Sequence, residues 1–198
     1  MRLLIADDHQ SVADGIGALL ASQFDIIWYA ATPEDAEQEL SDQSFDLLLL
    51  DLDFRRPDRT GFHILVAALQ RDPRARVLIL SQFDDPSLIA KARRLGAAGF
   101  LSKRSGQDAI QDAVRTVLNG GSWFPEPADG EPAFTNKQVQ VICLLTSGLD
   151  RKEIAASMQV STPMIDAHLT VIQRKLGVRG LRATVAEIER RALHLLGC

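Results

Sequence analysis

The stretch Leu47-Leu48-Leu49-Leu50-Asp51 is a run of four leucines that stops at a carboxylate. A continuous apolar run of this length is typical of a strand that is buried on both faces of a parallel sheet. Functional groups gather at the carboxyl ends of parallel strands, so polar residues that follow such runs are expected to share one crevice. Three other runs show the same arrangement: Asp7 and Asp8 follow Leu3 to Ala6, Ser81 follows Val77 to Leu80, and Lys103 comes just after Phe100 and Leu101.

Short apolar strands alternate with amphipathic helical patterns over the first 119 residues. The pattern predicts strands near 2–6, 25–29, 46–50, 76–80 and 98–101, and helices near 10–22, 33–41, 61–70, 86–95 and 106–119. Five consecutive βα units predict an α/β domain with a doubly wound, five-stranded parallel sheet of the flavodoxin-like type.

A break in this pattern follows the fifth helix. The sequence Asn119-Gly120-Gly121 is a strong helix stop, and the residues from there to Pro132 include three prolines and three acids without periodicity. We therefore predict a domain over residues 1–119, a semi-extended linker over 120–133 and a second domain over 134–198.

The second domain has a purely helical pattern. Thr135 and Gln138 form a capping box at the start of a helix that Gly148 ends. The periodicity then predicts three further helices, over about residues 151–158, 162–176 and 181–195. Two short helices joined by a tight turn predict a small all-α domain of the helix-turn-helix type.

Composition limits the class of protein. With 198 residues and 46% hydrophobic content, the chain is ordinary for a globular protein of two small domains. No apolar run approaches the roughly 18 residues of a membrane span, so we expect a cytoplasmic protein with no membrane partner. The cysteines, Cys143 and Cys198, lack the spacing of metal ligands, and we expect both to be thiols.

Charge is distributed unevenly along the chain. The net charge of −4 is made up of −5 before residue 120, −3 over residues 120–134 and +4 after them. Because the first domain is acidic and the second is mildly basic, we expect that only the second domain binds a polyanion such as nucleic acid.

The polar residues at the strand ends suit phosphoryl chemistry. A carboxylate and a phosphoryl group repel each other unless a divalent cation lies between them, and Mg²⁺ prefers oxygen ligands, often from one or two carboxylates. Asp7, Asp8 and Asp51 can supply them, and Asp51 is the better nucleophile because it ends the central strand. Lys103 and Ser81 offer a charge and a hydroxyl to the transferred group.

Four motifs occur in order along the first domain: Asp7-Asp8-His9, Asp51 after its strand, Ser81, and Phe100 to Lys103. In this combination, residues 1–119 resemble the receiver domain of bacterial two-component response regulators. The resemblance implies that Asp51 accepts a phosphoryl group from a sensor histidine kinase. It also implies that Ser81 and the switch aromatic Phe100 reorient on phosphorylation. The Mg²⁺ ligands that it implies are Asp7, Asp8, Asp51 and the backbone carbonyl of Asp53.

Two features depart from the receiver pattern. The loop from Asp51 to Gly61 is about two residues longer than usual and contains Arg55, Arg56 and Arg59, which we expect to offset the charge of Asp53. Gln82 stands beside the switch hydroxyl, where the family generally has a small residue, and is expected to crowd the route to Asp51. These departures leave open an atypical receiver that works without phosphorylation.

An enzyme is the other alternative. Leu47 to Leu50 followed by Asp51-Leu52-Asp53 also resembles the first motif of haloacid-dehalogenase-like phosphatases, which use an aspartate nucleophile with a hydroxyl residue and a lysine. The acid pair Asp7-Asp8 ahead of the nucleophile and the appended helical domain argue against this interpretation. We therefore expect that the protein is not an enzyme.

Residues 134 to about 186 contain four further matching stretches: Phe134 to Ile142, Gly148 to Ala155, Val160 to Leu169, and Arg174 to Val178. They resemble the helix-turn-helix of NarL/FixJ (LuxR-type) regulators. We therefore interpret the chain as a DNA-binding transcriptional response regulator in which phosphorylation gates homodimerisation and binding to double-stranded promoter DNA. The residues expected to contact DNA are Lys152, Thr162, Asp166, Ala167, His168, Thr170, Arg174 and Lys175.

Two residues of the third predicted helix of this domain depart from the LuxR-type pattern. Asp166 stands where a lysine is common, and Met164 replaces the usual threonine. An aspartate is repelled by phosphates, but it can accept a hydrogen bond from cytosine N4. We expect lower non-specific affinity for DNA and a DNA site unlike that of typical relatives.

Overall fold

The structure is a computed structural model that describes residues 1–54, 59–125 and 134–196, except the side chain of His194. The described residues form two compact units. The first contains the parallel sheet, and the second contains the C-terminal helices together with the short segment Asp85–Ala90. Arg55 and Arg56 of the long loop, and residues 126–133 of the predicted linker, lie outside the described residues. The domain boundaries stay predictions.

Five parallel strands form the sheet of the first unit. They are paired in the order β2-β1-β3-β4-β5, and each lies within one residue of its predicted position. The predicted fold class is therefore confirmed for this domain. The strands are β1 (Arg2–Ala6), β2 (Ile26–Ala30), β3 (Leu47–Leu50), β4 (Val77–Ser81) and β5 (Gly99–Ser102).

Helices connect successive strands. The start of the second helix is fixed by its cap, since the Thr32 hydroxyl accepts a hydrogen bond from the Asp35 N–H and Pro33 occupies the first turn. The helices are α1 (Gln10–Leu20), α2 (Pro33–Asp42), α3 (Gly61–Arg71), α4 (Pro86–Leu95) and α5 (Gln107–Leu118).

The leucine run occupies the middle of the sheet. Leu47 and Leu49 pack in one core cluster with Leu20 of α1 and Val114 of α5. Leu48 and Leu50 alternate to the other face and are buried as well. Because both faces of β3 are covered, the strand is apolar throughout, and a polar residue is first accommodated where the strand ends, at Asp51.

The segment after α5 pairs with the edge strand β5. The Trp123 carbonyl accepts a hydrogen bond from the Phe100 N–H at 2.6 Å, and the Trp123 N–H donates to the Ala98 carbonyl at 3.1 Å. Gly99 permits this approach, since an added Cβ would lie 2.7 Å from the Trp123 carbonyl oxygen. The start of the predicted linker is therefore held against the sheet and covers part of its edge.

The second unit is helical, as predicted. Its capping box of Thr135 and Gln138 is present, and Gly177 ends the third helix in the left-handed conformation with φ 70°. Among the residues described, no helix combines the length and apolar character that a membrane crossing requires. The helices are α6 (Asn136–Thr146), α7 (Arg151–Ser157), α8 (Thr162–Leu176) and α9 (Leu181–Arg190), followed by a 3-10 helix over Leu193–Leu196.

The end of the chain differs from the prediction. A single helix over 181–195 was expected, but α9 ends at Arg190. Ala192 adopts φ 51°, which breaks the helix and turns the chain into the 3-10 segment. This segment buries Leu195 and Leu196 and contacts α6, so tertiary packing overrides the helical periodicity at this point.

Cys143 also differs from the prediction. It lies on α6, its side chain is buried, and it is disulfide-bonded, so the expectation of a thiol is wrong for this residue. Cys198 lies outside the described residues.

Gly61 begins α3 and closes the long loop onto the end of β3. Its N–H donates to the Leu52 carbonyl at 2.9 Å, and an added Cβ would lie 2.9 Å from the Leu52 Cα and closer still to the Asp51 carbonyl oxygen. We expect Gly61→Ala to lower the free energy of unfolding by about 1–3 kcal/mol, because the backbone around Asp51 must shift. Urea unfolding of the full chain measures this change.

Gly15→Ala is the matched control for this substitution. Gly15 is exposed within α1, and an added Cβ meets nothing within 4 Å. We expect this variant to raise the free energy of unfolding by about 0.5–1 kcal/mol, since alanine loses less backbone entropy than glycine in a helix. Equal effects of the two substitutions would contradict the contact assigned to Gly61.

Candidate functional site

Asp51 directly follows β3, and only 3% of its surface is exposed. Its N–H donates to the Ala6 carbonyl at 2.9 Å, and its Oδ1 accepts a hydrogen bond from the Leu52 N–H at 2.7 Å. Burial raises the pKa of Asp51 to about 6, an effect that the Lys103 charge opposes and the Asp7 charge increases. The residue is therefore a carboxyl group held rigidly at the edge of the sheet, with Oδ2 facing Lys103.

Lys103 follows β5 and reaches across this edge. Its N–H donates to the Ser81 carbonyl at 2.8 Å, which continues the pairing of β5 with β4. Its Nζ lies 2.6 Å from Asp7 Oδ2 and 2.8 Å from Asp51 Oδ2. Burial lowers the pKa of Lys103, but the two carboxylates outweigh burial and raise that pKa above its ordinary value. One ammonium thus contacts residues from two other strand ends.

Asp7, Asp8 and His9 follow β1 and complete the cluster. One ligand atom from each of them and one from Asp51 all lie within 4.8 Å of one another. His9 Nδ1 is 2.7 Å from Asp8 Oδ1, and the His9 N–H donates to Asp7 Oδ1 at 2.9 Å. Carboxylate oxygens gathered in this way fit a divalent cation that prefers oxygen ligands. The sequence analysis assigned no role to His9. The feature that could have indicated one is the position of His9 directly after Asp7 and Asp8.

The other residues predicted for this site show the following surroundings. Ser81 is fully buried, and its Oγ accepts a hydrogen bond from the Phe83 N–H at 3.2 Å. Phe100 is fully buried in β5, Gln82 is exposed and Asp53 is half-buried. Switching by Ser81 and Phe100, crowding by Gln82 and metal binding by the Asp53 carbonyl stay predictions.

The second candidate site is the helix-turn-helix of α7 and α8. The Asp150 carboxylate accepts hydrogen bonds from the N–H groups of Lys152 and Glu153 in the first turn of α7, and the chain turns at Gln159 with φ 55°. Of the residues predicted to contact DNA, Lys152, Asp166, Ala167, Thr170 and Arg174 are exposed, whereas Thr162, His168 and Lys175 are half-buried. The exposed members lie on α7 and α8, the pair of helices that the sequence pattern indicated.

Lys175 has contacts within its own domain. Its Nζ donates to Gln138 Oε1 at 2.9 Å and lies 5.1 Å from the centre of the Phe134 ring. These contacts hold the end of α8 against α6. A role of Lys175 in DNA binding stays a prediction.

Arg151 is a residue that sequence reasoning did not include. Its Nη1 lies 3.3 Å from Asp166 Oδ1, which links the first turn of α7 to α8. The two residues are 15 positions apart, so no helical i,i+4 pattern pairs them, and only the helix-turn-helix brings them together. The feature of the sequence that could have indicated this contact is the opposite charge of Arg151 and Asp166 on the two helices of the predicted helix-turn-helix.

The parallel sheet with its carboxylates and lysine, joined to a helix-turn-helix domain, defines the response regulator class. Residues 3–115 match the response regulator receiver domain, and residues 132–187 match the LuxR family of bacterial regulatory proteins. The chain belongs to the response regulators of the NarL/FixJ type, with a receiver domain followed by a LuxR-type DNA-binding domain. Both resemblances are confirmed, and the phosphatase alternative is not favoured.

The chain is similar to several known proteins over most of its length. Oxygen regulatory protein NreC of Staphylococcus aureus is 28% identical over 201 residues, which cover 90% of this chain and 92% of NreC. A structure of two RcsB dimers bound to two parallel DNAs has a TM-score of 0.71 at 20% identity and covers 96% of this chain and 98% of that RcsB chain. RcsB from Salmonella enterica serovar Typhimurium, bound to promoter P1flhDC with the phosphomimetic BeF3−, has a TM-score of 0.70 at 20% identity, with 95% and 97% covered. At this identity the two structures show the fold.

Asp51→Asn tests the cost of burying a carboxylate. The folded-state pKa of Asp51, about 6, is above the ordinary value of 3.8, so its ionisation removes stability as pH rises from about 4 to above 6. With a chelator present, we expect Asp51→Asn to raise the free energy of unfolding by on the order of 1–3 kcal/mol near neutral pH, and by less at about pH 5. Urea unfolding at both pH values measures the gain.

Asp14→Asn serves as the control, because Asp14 is an exposed carboxylate on α1. We expect it to change the free energy of unfolding by less than about 0.5 kcal/mol at either pH. A loss of stability in Asp51→Asn near neutral pH, or a gain that does not depend on pH, would show that burial of the Asp51 charge is not destabilising.

Proposed function

We propose that Asp51 accepts a phosphoryl group from the phosphohistidine of a sensor histidine kinase, with Mg²⁺ held by Asp7, Asp8, Asp51 and the Asp53 carbonyl. The observation that carries this proposal is the contact of one ammonium, Lys103 Nζ, with both Asp7 and Asp51. Such a contact requires the ends of β1, β3 and β5 to converge on a buried carboxylate. The acidic cluster around it supplies the oxygen ligands that Mg²⁺ prefers.

The transfer is a displacement at phosphorus. A bond forms between an Asp51 carboxylate oxygen and phosphorus while the P–N bond of the phosphohistidine breaks, and the electron pair of that bond leaves with the imidazole nitrogen of the kinase histidine. Asp7, Asp8 and Asp51 would hold Mg²⁺, whose positive charge would offset the repulsion between the carboxylate and the phosphoryl group. The Leu52 N–H bonded to Oδ1 keeps the carboxylate in one orientation. Lys103 Nζ and the Ser81 hydroxyl then bind the oxygens of the transferred group.

The output of the chain is binding to double-stranded promoter DNA as a homodimer, which phosphorylation gates. The exposed residues Lys152, Thr170 and Arg174 on α7 and α8 support this part of the proposal, as do the DNA complexes of the similarly folded RcsB. A promoter target implies a cytoplasmic protein. Each chain takes up one phosphoryl group and has no continuous turnover, so the protein is a regulator and not an enzyme.

Uptake of a phosphoryl group is tested with a small phosphoramidate donor and Mg²⁺, followed by mass spectrometry of the intact chain. We expect one phosphoryl group per chain, none in Asp51→Asn and none when a chelator removes Mg²⁺. Asp53→Asn is the matched control, because only the backbone carbonyl of Asp53 is assigned to the site, and this variant should still be phosphorylated. Equal uptake by wild type and Asp51→Asn would exclude Asp51 as the acceptor.

A receiver that works without phosphorylation is the alternative that Gln82 and the long loop left open in the sequence, and it is not favoured over phosphorylation. Titration with Mg²⁺ and beryllofluoride, followed by Trp28 and Trp123 fluorescence, separates the two. A response in wild type that is absent in Asp51→Asn supports phosphorylation. If neither ligand binds, the protein signals in another way, and steady phosphate release from a phosphomonoester would instead indicate a phosphatase.

Arg174 and Lys175 are neighbours in α8 with different surroundings, since Arg174 is exposed and Lys175 contacts Gln138 and Phe134. We expect Arg174→Ala to weaken binding to duplex DNA and to reduce the slope of log affinity against log salt by about 1, because one phosphate contact is lost. Fluorescence anisotropy at several salt concentrations measures both effects.

Lys175→Ala is expected to act mainly on stability. It should lower the free energy of unfolding by about 1 kcal/mol, because it removes the hydrogen bond to Gln138 and the contact with the Phe134 ring. Arg174→Ala should change that free energy by less than about 0.5 kcal/mol. The opposite pattern in urea unfolding would show that Lys175 faces DNA and Arg174 supports the fold.

A further inference from the structure

Asp166 is the one acidic residue in the sequence of α8, the helix that contains most of the residues predicted to contact DNA. Arg151 of α7 contacts it, with Nη1 3.3 Å from Oδ1. We propose that Arg151 is a positioning residue that holds the Asp166 carboxylate for base recognition, and that the pair selects a cytosine in each half-site. This inference rests on the proposed binding to DNA, and it adds the kind of base that the helix recognises.

The backbone at Arg151 is held by a helix cap, and the backbone at Asp166 is held by the packing of α8. Arg151 is the first residue of α7, which begins at the Asp150 cap, where the carboxylate accepts two backbone hydrogen bonds. Asp166 lies between the buried Ile165 and Leu169 of α8, so the side of the helix that carries it is set by packing. The Arg151–Asp166 contact therefore joins two elements whose relative position is already determined.

The chemistry of the pair suits an acid that must approach DNA. A lone carboxylate is repelled by phosphates, whereas a guanidinium stays charged at all relevant pH values and offsets the negative charge of Asp166. Both side chains are about half exposed, so their attraction in water adds little to stability. Its effect is on orientation: with Oδ1 bonded to Arg151, Oδ2 can accept a hydrogen bond from cytosine N4, a donor in the major groove.

The pair also reduces non-specific binding. While Arg151 is bonded to Asp166, its charge is partly neutralised within the protein and releases fewer counterions from DNA. Removal of the carboxylate frees Arg151 to bind a phosphate at any sequence. The proposal therefore predicts opposite effects of one substitution, a gain in affinity for random DNA and a loss of base preference.

The test is selection of sites from a pool of randomised duplex DNA by the full chain, treated with Mg²⁺ and beryllofluoride, followed by affinity measurements at several salt concentrations. Wild type should enrich cytosine at one position of each half-site. Asp166→Asn should lose roughly tenfold discrimination at that position, and its affinity for random DNA should rise with a salt slope steeper by about 1. Arg151→Ala should lose much of the preference, and Arg151→Lys should recover part of it.

Lys152→Ala is the matched control, because Lys152 is the exposed neighbour of Arg151 on α7. It should weaken binding to all sequences about equally and leave the cytosine preference unchanged. An unchanged preference in Arg151→Ala or Asp166→Asn, with DNA binding retained, overturns the role of the pair and leaves the proposed function standing. Absence of DNA binding by wild type and every variant overturns both.

Discussion

The ammonium of Lys103, 2.6 Å from Asp7 and 2.8 Å from Asp51, is the contact on which the receiver site depends. Buried carboxylates lose hydration and repel each other, and a shared cation offsets both costs. The contact forms only if β1, β3 and β5 end at the same edge of the sheet. The geometry of the site therefore depends on the correct pairing of these strands. The pKa of Asp51 is still raised, which means that one ammonium does not compensate this cluster fully. A divalent cation would supply the missing positive charge.

The rigidity of Asp51 follows from backbone contacts on either side of it. Its N–H is bonded to the Ala6 carbonyl, and its side chain accepts the Leu52 N–H. The Gly61 N–H returns to the Leu52 carbonyl, so the two ends of the long loop are tied together next to the carboxylate. The position of Asp51 relative to α3 is therefore set by this hydrogen bond and by the absence of a Cβ at Gly61, whatever the length of the loop.

The charged residues of the helical domain bear on its proposed binding to DNA. A basic surface gives affinity for DNA, but it does so at every sequence. Asp166 introduces a negative charge into this surface, and Arg151 keeps that charge from standing alone. Lys175, which the sequence offers as another cation for DNA, bonds to Gln138 and supports the packing of α8 on α6. The charged residues of α8 thus have different surroundings, since Asp166 contacts Arg151 of α7 and Lys175 contacts Gln138 of α6.

Local patterns in the sequence predicted the five strands of the receiver domain and the contact of Asp51 with Lys103. The run Leu47 to Leu50 predicts a buried strand because each residue must face apolar surroundings, and parallel strands bring Asp51 and Lys103 to one edge in any such sheet. Tertiary structure alone decided the pKa of Asp51, the place of His9 in the cluster, the pairing of Arg151 with Asp166, the docking of Trp123 on β5 and the break at Ala192. Each of these features depends on the distance between residues that are far apart in sequence, or on how completely a side chain is shielded from water. Hydrophobic periodicity and local propensity describe only neighbouring residues, so they do not predict such distances or the degree of burial.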